Sequence, residues 1–336
     1  MSAPLTPALR RRPMLGALGA LASLAGPGLL SAPARAQSTF PQRPITLVVP
    51  FAAGGVADLT ARVVGQAMGS VLKQPVVVDN RPGAGGIVAT SLVVQAAPDG
   101  HTLLLMSNAS AVSVHLFKKL PFDVTRQLAP ISTLGFFDLG LAVPATSRFK
   151  TLADLLAYAR AQPGRLTLGS IAPGSTQHLA AELFKSRAGI EATVVPYKGS
   201  PALLQALRAG EVDLGFEILS PLLPQVQAQA LRLLAVTGAQ RFSGLPEVAT
   251  VKEQGVAQYE VDSWNALAAP AGTPPQALDR LNAAARDALA QPAVQSALLK
   301  LGVKPQAGTP AELSQLLNSE IKHWGEVVRR AGITPE

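Results

Sequence analysis

A short polar segment, PGSTQH at residues 173–178, combines residue types that can do chemistry. It follows an apolar run and precedes a helical pattern, so it lies where a strand turns into a helix. Ser175 and His178 are three residues apart and would share one face of that helix. Three interpretations are open: a helix cap, a serine nucleophile with a histidine base, or a site that binds an anion through backbone N–H groups.

A serine hydrolase needs more than this pair. The base needs an acid to orient it, and the nucleophile needs an oxyanion hole. Glu182 lies one helical turn beyond His178 and is poorly placed to orient it, and the nucleophile motif Gly-x-Ser-x-Gly does not occur here. An exported hydrolase that uses Ser175 and His178 therefore stays as the alternative hypothesis.

Four further strand-to-helix corners carry small or neutral polar residues. At such corners the first N–H groups of the helix and the positive end of its dipole can bind an anion. Asp58 in the first corner can instead satisfy those N–H groups, Lys198 can be solvated, and Glu217 after a later strand would repel an anion unless a donor meets it. The corners are PFAAGGVAD (50–58), NRPGAGG (80–86), MSNASA (106–111) and VPYKGSPALLQAL (195–207).

The same segments lack the patterns of other chemistries. The glycine-rich corners fit neither the P-loop nor the dinucleotide fingerprint. The chain has no cysteine, and its four histidines lie far apart without metal-ligand spacing. We therefore expect no cofactor and no metal, and a binding protein rather than an enzyme.

The N-terminus, residues 1–36, has the three regions of a signal peptide. A basic cluster at 10–12 precedes an apolar stretch at 14–30 and a small-x-small motif that ends at Ala36. Pro27 makes the stretch a poor membrane span, so we expect cleavage near Ala36 and export to the periplasm. The paired arginines also suit a twin-arginine signal, and the export route stays open.

Removing this segment changes the charge of the chain. It takes Lys plus Arg from 29 to 25 against 21 acidic residues, so the net charge falls from +8 to +4. No basic run interleaved with aromatic residues remains, and we expect no nucleic-acid partner.

Beyond residue 36, strand-like apolar runs alternate with helical patterns, which predicts a parallel α/β organisation with aliphatic cores. A fresh α/β unit begins near residue 142, and a Gly-Thr-Pro-Pro turn follows its end near 264. The predicted units are a first lobe from 37–141 and 264–336 and a second lobe from 142–263. A unit inserted in this way has two chain crossings and a hinged cleft, where small ligands bind.

Over nearly all of this length the chain resembles the Bug family, the periplasmic receptors of tripartite tricarboxylate transporters. The order and spacing of several segments carry the resemblance. They are RPITLVVPFAAGG, VVVDNRPGAGG, PDGHTLLL, VPYKGSPALLQAL, LRLLAVTG, LPEVATVKEQG and the run from Trp264 to Pro274. The resemblance implies a type II periplasmic-binding-protein fold that closes on a small carboxylate, and it implies a membrane permease or a sensor kinase as partner.

The resemblance also implies the residues that hold the ligand. Ala57, Pro173 and Glu217 depart from the pattern common in relatives, so a relative's ligand identity does not transfer. A regulator's effector module shares the general fold but needs a DNA-binding segment where this chain has a signal peptide. A monomer is the expected state. The implied ligand residues are Phe51, Ala53, Gly54, Asp58, Ser170, Gly174, Ser175, His178, Tyr197, Lys198 and Gly199. Ser107 and Asn108 in the MSNASA corner are neutral donors, and we add Ser107 to the predicted ligand residues.

Overall fold

The computed structural model describes residues 40–172 and 175–335. The predicted signal peptide at 1–36 and the predicted ligand residue Gly174 lie outside the described residues. In the part of the chain that is described, no helix is both long and apolar enough to cross a membrane.

The chain begins with three strand–helix pairs. In β1 every residue is apolar or small, as suits a strand covered on both faces. In α1 the buried positions include Ala57, Ala61, Val64 and Met68, a spacing that places one face on the core. The elements are β1 (Ile45–Val49), α1 (Val56–Leu72), β2 (Val76–Asn80), α2 (Ile87–Val94), β3 (Thr102–Ser107) and α3 (Asn108–Leu116).

A 17-residue strand, β4 (Leu128–Pro144), then leads into a second series of strand–helix pairs. Thr151 and Asp154 form a capping box at the first helix of that series. The elements are α4 (Leu152–Ala161), β5 (Leu166–Ile171), α5 (Thr176–Ala188), β6 (Ala192–Tyr197), α6 (Ser200–Ala209), β7 (Leu214–Ile218), α7 (Leu219–Gln227) and β8 (Leu231–Val236).

The chain returns to the first group of strands through a long strand and ends in helices. Thr309 and Glu312 form a second capping box, with Pro310 at the first helical position. The elements are β9 (Asp262–Pro270), α8 (Pro275–Leu289), α9 (Pro292–Lys300), β10 (Val303–Pro305) and α10 (Pro310–Arg330). These three C-terminal helices follow the Gly-Thr-Pro-Pro turn that the sequence indicated after residue 264.

The strands form two groups that share β4. Their order is β2-β1-β3-β9-β4 in the first group and β4-β7-β5-β6 in the second, with β10 and β8 also paired to β4. The two-lobed α/β prediction is confirmed, but the expectation of parallel pairing is only partly right. The pairs β1·β2, β1·β3, β5·β6 and β5·β7 are parallel, whereas every pair made by β4 or β9 is antiparallel.

Two chain crossings join the lobes. The pairing of β4 with β9 ends at Asp138, and its pairing with β7 starts at Leu139. The return crossing lies between Val261, whose N–H donates to the Thr237 carbonyl, and Asp262 at the start of β9. We call residues 40–138 and 262–335 the first lobe and 139–261 the second. The boundaries predicted at 141/142 and 263/264 remain predictions, a little beyond these crossings.

The core is aliphatic, as expected from the low aromatic content. Ala, Leu and Val fill most buried positions, and Trp264 and Trp324 are the two bulkiest fully buried side chains among the described residues. Both tryptophans lie in the first lobe, on β9 and α10.

Candidate functional site

The predicted ligand residues gather at one edge of each sheet. Strands β1 and β3 end at loops that lead into α1 and α3 in the first lobe. Strands β5 and β6 end in the same way before α5 and α6 in the second lobe. The carboxyl ends of parallel strands meet at one edge of a sheet, which is where open α/β folds bind ligands. Helix N-termini from both lobes therefore point to this edge.

Hydrogen bonds to the Asp58 side chain fix the loop after β1. This side chain is only 2% exposed. Its Oδ2 accepts from the Gly54 N–H at 2.8 Å, and Arg62 Nη2 lies 3.0 Å from its Oδ1. Asn80 Nδ2 donates both to Asp58 Oδ1 and to the Phe51 carbonyl, each at 3.0 Å. The carboxylate is thus used to shape the loop.

The hydrogen bonds keep Asp58 ionised. Burial alone would raise the pKa of this carboxyl, but bonds from Arg62, the Gly54 N–H and Asn80 outweigh it and lower the pKa below its ordinary value. The predicted role of Asp58 in direct ligand contact stays a prediction. The contacts observed support the other reading, in which the acid satisfies local donors.

The loop itself presents backbone to the solvent. Residues 51–55 are exposed, and Gly54 has a φ of 86°, which glycine adopts without strain. A Cβ added at Gly54 would meet nothing within 4 Å, so the space beside it is open. Helix α1 starts after Gly55 without a side-chain cap. Phe51 and Ala53 lie in this loop, and Phe51 is a large apolar side chain that is 36% exposed.

The corner after β3 links the two lobes. The Ser107 hydroxyl accepts from the Ala109 N–H at 3.2 Å and so caps α3. The neighbouring Asn108 is fully buried, and its Nδ2 donates to Thr176 Oγ1 of the second lobe at 3.0 Å. Sequence reasoning identified Asn108 as a neutral donor but gave no signal for this partner, which is far away in the chain.

In the second lobe, Ser175 is the N-cap of α5. The Ser175 hydroxyl accepts from the backbone N–H of His178 at 3.1 Å. Ser170 at the end of β5 is fully buried, and its hydroxyl donates to the Ile171 carbonyl at 3.2 Å. Burial lowers the pKa of His178, opposed by the charge of Glu182 and aided by that of Lys185. The imidazole is therefore held toward its neutral form.

The corner after β6 is the counterpart of the loop after β1. Gly199 has a φ of 104°, and α6 begins after it without a side-chain cap. Lys198 is exposed. Tyr197 is half-buried, and burial, with the charge of Glu211, raises the pKa of its phenol. This corner thus offers an uncapped helix start.

A fully buried acid, Glu217, ties the corners of the second lobe together. Its Oε1 accepts from Gln177 Nε2 and from the Ile218 N–H, both at 2.8 Å, and the Ser200 hydroxyl also faces it. Burial raises its pKa, and these three donors oppose the rise. From the sequence, Glu217 would repel an anionic ligand unless a hydrogen-bond donor met it. Gln177 and the Ile218 N–H are such donors. Gln177 is the residue that sequence reasoning missed.

The site is therefore rich in neutral donors. Its two most basic neighbours are Arg62, which pairs with Asp58, and the exposed Lys198. Across residues 40–172 and 175–335, no three His, Asp or Glu side chains gather as metal ligands. The arrangement can bind an anion by backbone and hydroxyl hydrogen bonds.

Comparisons with known proteins show the family and the fold. The family model for the tripartite tricarboxylate transporter family receptor matches residues 60–333. Protein BugT of Bordetella pertussis is 36% identical over 321 residues, which cover 95% of this chain and 97% of BugT.

Two solved structures are similar throughout the fold. One is Rpa4515 of R. palustris with adipate, at a TM-score of 0.80 and 35% identity, covering 88% of this chain and 100% of that one. The other is MatC of Rhodopseudomonas palustris with bound malate, at a TM-score of 0.75 and 32% identity, covering 86% and 100%.

Proposed function

This chain belongs to the tripartite tricarboxylate transporter receptor family and is a solute-binding receptor of that family, and we propose that it captures a small organic carboxylate between its two lobes. One observation carries the proposal. Helices α1 and α6 start after glycines, Gly55 and Gly199, with no side-chain cap, and each lobe supplies one of them. Uncapped N–H groups and the helix dipole favour an anion at both places.

The ligands of similar proteins support the chemical class. Adipate and malate, bound by the two R. palustris proteins, are both carboxylates. Four or five charge-assisted hydrogen bonds of ~1.5–3 kcal/mol each would support micromolar affinity after the costs of association. We propose that Phe51, Ala53 and Gly54 bind from one lobe. The second lobe would contribute Ser170, Gly174, Ser175, His178, Tyr197, Lys198 and Gly199.

The destination of the ligand follows from the family. We propose that the mature chain, cleaved near Ala36, works as a monomer in the periplasm and delivers its ligand to a membrane permease or to a sensor. The family model and the periplasmic structural neighbours support this location.

The hydrolase alternative has less support. The Ser175 hydroxyl caps α5 by accepting the His178 N–H, Glu182 is poorly placed to orient a base, and the chain has no Gly-x-Ser-x-Gly motif. Turnover of an ester that disappears in Ser175→Ala would establish the hydrolase instead.

The test is thermal melting of the mature chain, freed of ligand by unfolding and refolding. Mono-, di- and tricarboxylates, adipate and malate among them, are compared with their amides. An acid at 100 times its Kd stabilises the fold by ~2.7 kcal/mol, a shift of several degrees. We expect a shift for an acid but not for its amide. Equal shifts for both, or none for any acid, would refute the proposal.

A further inference from the structure

Each of the two crossings between the lobes carries an acidic side chain at the crossing point. Asp138 is the last residue of β4 that pairs with β9, and Asp262 is the first residue of β9. The two are direct partners in the antiparallel register. Directly opposed residues have Cβ atoms about 4.5–5.5 Å apart on the same face of the sheet. Any rotation of one lobe against the other must twist the chain next to this pair.

The structure around Asp138 is built to hold a carboxylate. The side chain is fully buried, and Lys304 Nζ of β10 lies 2.7 Å from its Oδ2 and 3.0 Å from its Oδ1. A Cβ on Gly238 would overlap this carboxylate, so only glycine fits there. Next to it, Thr237 Oγ1 accepts from the Leu139 N–H at 2.8 Å. The crossing therefore keeps Asp138 in one fixed position.

Asp262 has no such partner. Within the described residues no hydrogen bond or ion pair reaches its side chain, since Lys304 is committed to Asp138. The charged groups that face it are Asp138 on β4, Glu320 on α10, Glu260 just before β9 and, alone as a cation, Lys304 on β10. The charges of three carboxylates and of one ammonium group therefore act on Asp262.

We propose that the Asp138–Asp262 pair is a proton-controlled hinge. A proton on the pair favours the bridged arrangement, in which Asn108 of the first lobe donates to Thr176 of the second. Loss of the proton favours an arrangement in which the lobes rotate apart and Asp262, which is partly exposed here, becomes fully solvated. The proposed hinge operates in the chain without ligand, so it is a separate property from the capture of a carboxylate.

The pKa values of Asp262, Asp138 and Glu320 are all raised. Burial and then the charge of Asp138 raise the pKa of Asp262 to about 7, with Glu320 and Glu260 adding and Lys304 opposing. Burial also raises the pKa of Asp138 against the pull of Lys304. Burial raises the pKa of Glu320 against the hydrogen bond that Trp324 Nε1 donates to it.

The sign of the pH effect follows by linkage. The bridged arrangement holds a proton on Asp262 up to about pH 7, whereas a solvated Asp262 loses it near the ordinary value of 3.8. The bridged arrangement therefore binds more protons between these values, and falling pH favours it. Between about pH 8.5 and pH 5.5 the ratio of bridged to rotated chains should rise on the order of 10- to 30-fold.

The experiment measures the distance between the lobes without any ligand. The chain has no cysteine, so Gln66→Cys on α1 and Gln205→Cys on α6 give two exposed labelling positions, one in each lobe. Spin-label distance distributions are recorded from about pH 5.5 to 8.5. We expect two populations, with the ratio of short to long distances rising as the pH falls below about 7. A distribution that does not change with pH would overturn the proposal.

Two further variants separate the hinge from general pH effects. Asp262→Asn, which mimics the protonated acid, should hold the short-distance population at every pH. Asp287→Asn, an exposed change on α8, should keep the pH dependence of the parent. If the ratio of the two distance populations still changed with pH in Asp262→Asn, the Asp138–Asp262 pair would be excluded as the cause of that change. Because ligand is absent throughout, a failure here is distinct from a failure of carboxylate binding.

Discussion

At the scale of single residues, the proposed site depends on how a loop backbone is held. Asp58 could have been a ligand contact or a local acceptor, and the sequence left both readings open. The structure directs its carboxylate to Gly54, Arg62 and Asn80, so its observed contacts hold the loop in position. Gly54 combines a positive φ with open space at its Cβ position. The open space is where the ligand is proposed to lie.

A bulky residue at position 54 should therefore block binding. Gly54→Val places its side chain in the space proposed for the ligand, and affinity for the stabilising acid should fall on the order of 100-fold because two charge-assisted hydrogen bonds are lost. Calorimetric titration measures this loss. Ser175→Ala removes the side-chain cap of α5 but no backbone donor, so it should weaken binding only a few-fold.

A matched control separates the blocked space from backbone strain. Gly189 at the end of α5 also has a positive φ and open space at its Cβ position, but it lies away from the strand ends. Gly189→Val should cost a similar ~1–2 kcal/mol of stability while leaving affinity within a few-fold of the parent. Comparable loss of affinity in both variants would point to strain alone.

At the scale of elements, the sequence predicts local features and fails where pairing is distant. The alternation of strands and helices was predicted, because buried strands such as β1, β2 and β3 read as short apolar runs. The extent of β4 was not predicted, since Pro130, Gly135 and Gly140 interrupt its pattern. Its antiparallel pairing with β9 was not predicted either, because no local pattern encodes a partner so far along the chain.

Glu217 shows how one buried acid can organise several elements. It joins the starts of α5 and α6 to the end of β7. Removing the carboxyl in Glu217→Ala leaves Gln177 and the Ile218 N–H without their acceptor, at about 1–3 kcal/mol for each buried donor. We expect that variant to lose both stability and affinity in thermal melts and titrations.

The isosteric change at the same position gives a pH signature. Because the pKa of Glu217 is raised in the folded chain, its stabilising contribution is complete below the ordinary value and is lost as pH rises through the folded-state value. Glu217→Gln should therefore gain in melting temperature over the parent as pH rises. The exposed Glu191→Gln should show no such trend. A gain for Glu217→Gln that is independent of pH would contradict this reading.

At the scale of the whole molecule, two contacts connect residues that are far apart in the chain. The Asn108–Thr176 hydrogen bond joins the two lobes, and the Asp138–Asp262 pair lies in the first lobe beside both crossings. The family resemblance predicted two lobes and a hinge but neither contact, because no local pattern encodes a partner so distant in the chain.

The contact between Asn108 and Thr176 should couple the lobes. In a double-mutant cycle of Asn108→Ala and Thr176→Val, the coupling should be about 0.5–1.5 kcal/mol in the free energy of ligand binding. Titration of the four chains measures it. Strictly additive effects would mean that this hydrogen bond plays no part in closure.

The most direct test of the account is a crystal structure of the mature chain with the acid that stabilises it most. The account predicts carboxylate oxygens ~2.7–3.2 Å from backbone nitrogens at the starts of α1 and α6, with both lobes in contact with one ligand. A ligand whose carboxylate has no backbone nitrogen within this distance, or a ligand bound by one lobe alone, would contradict it.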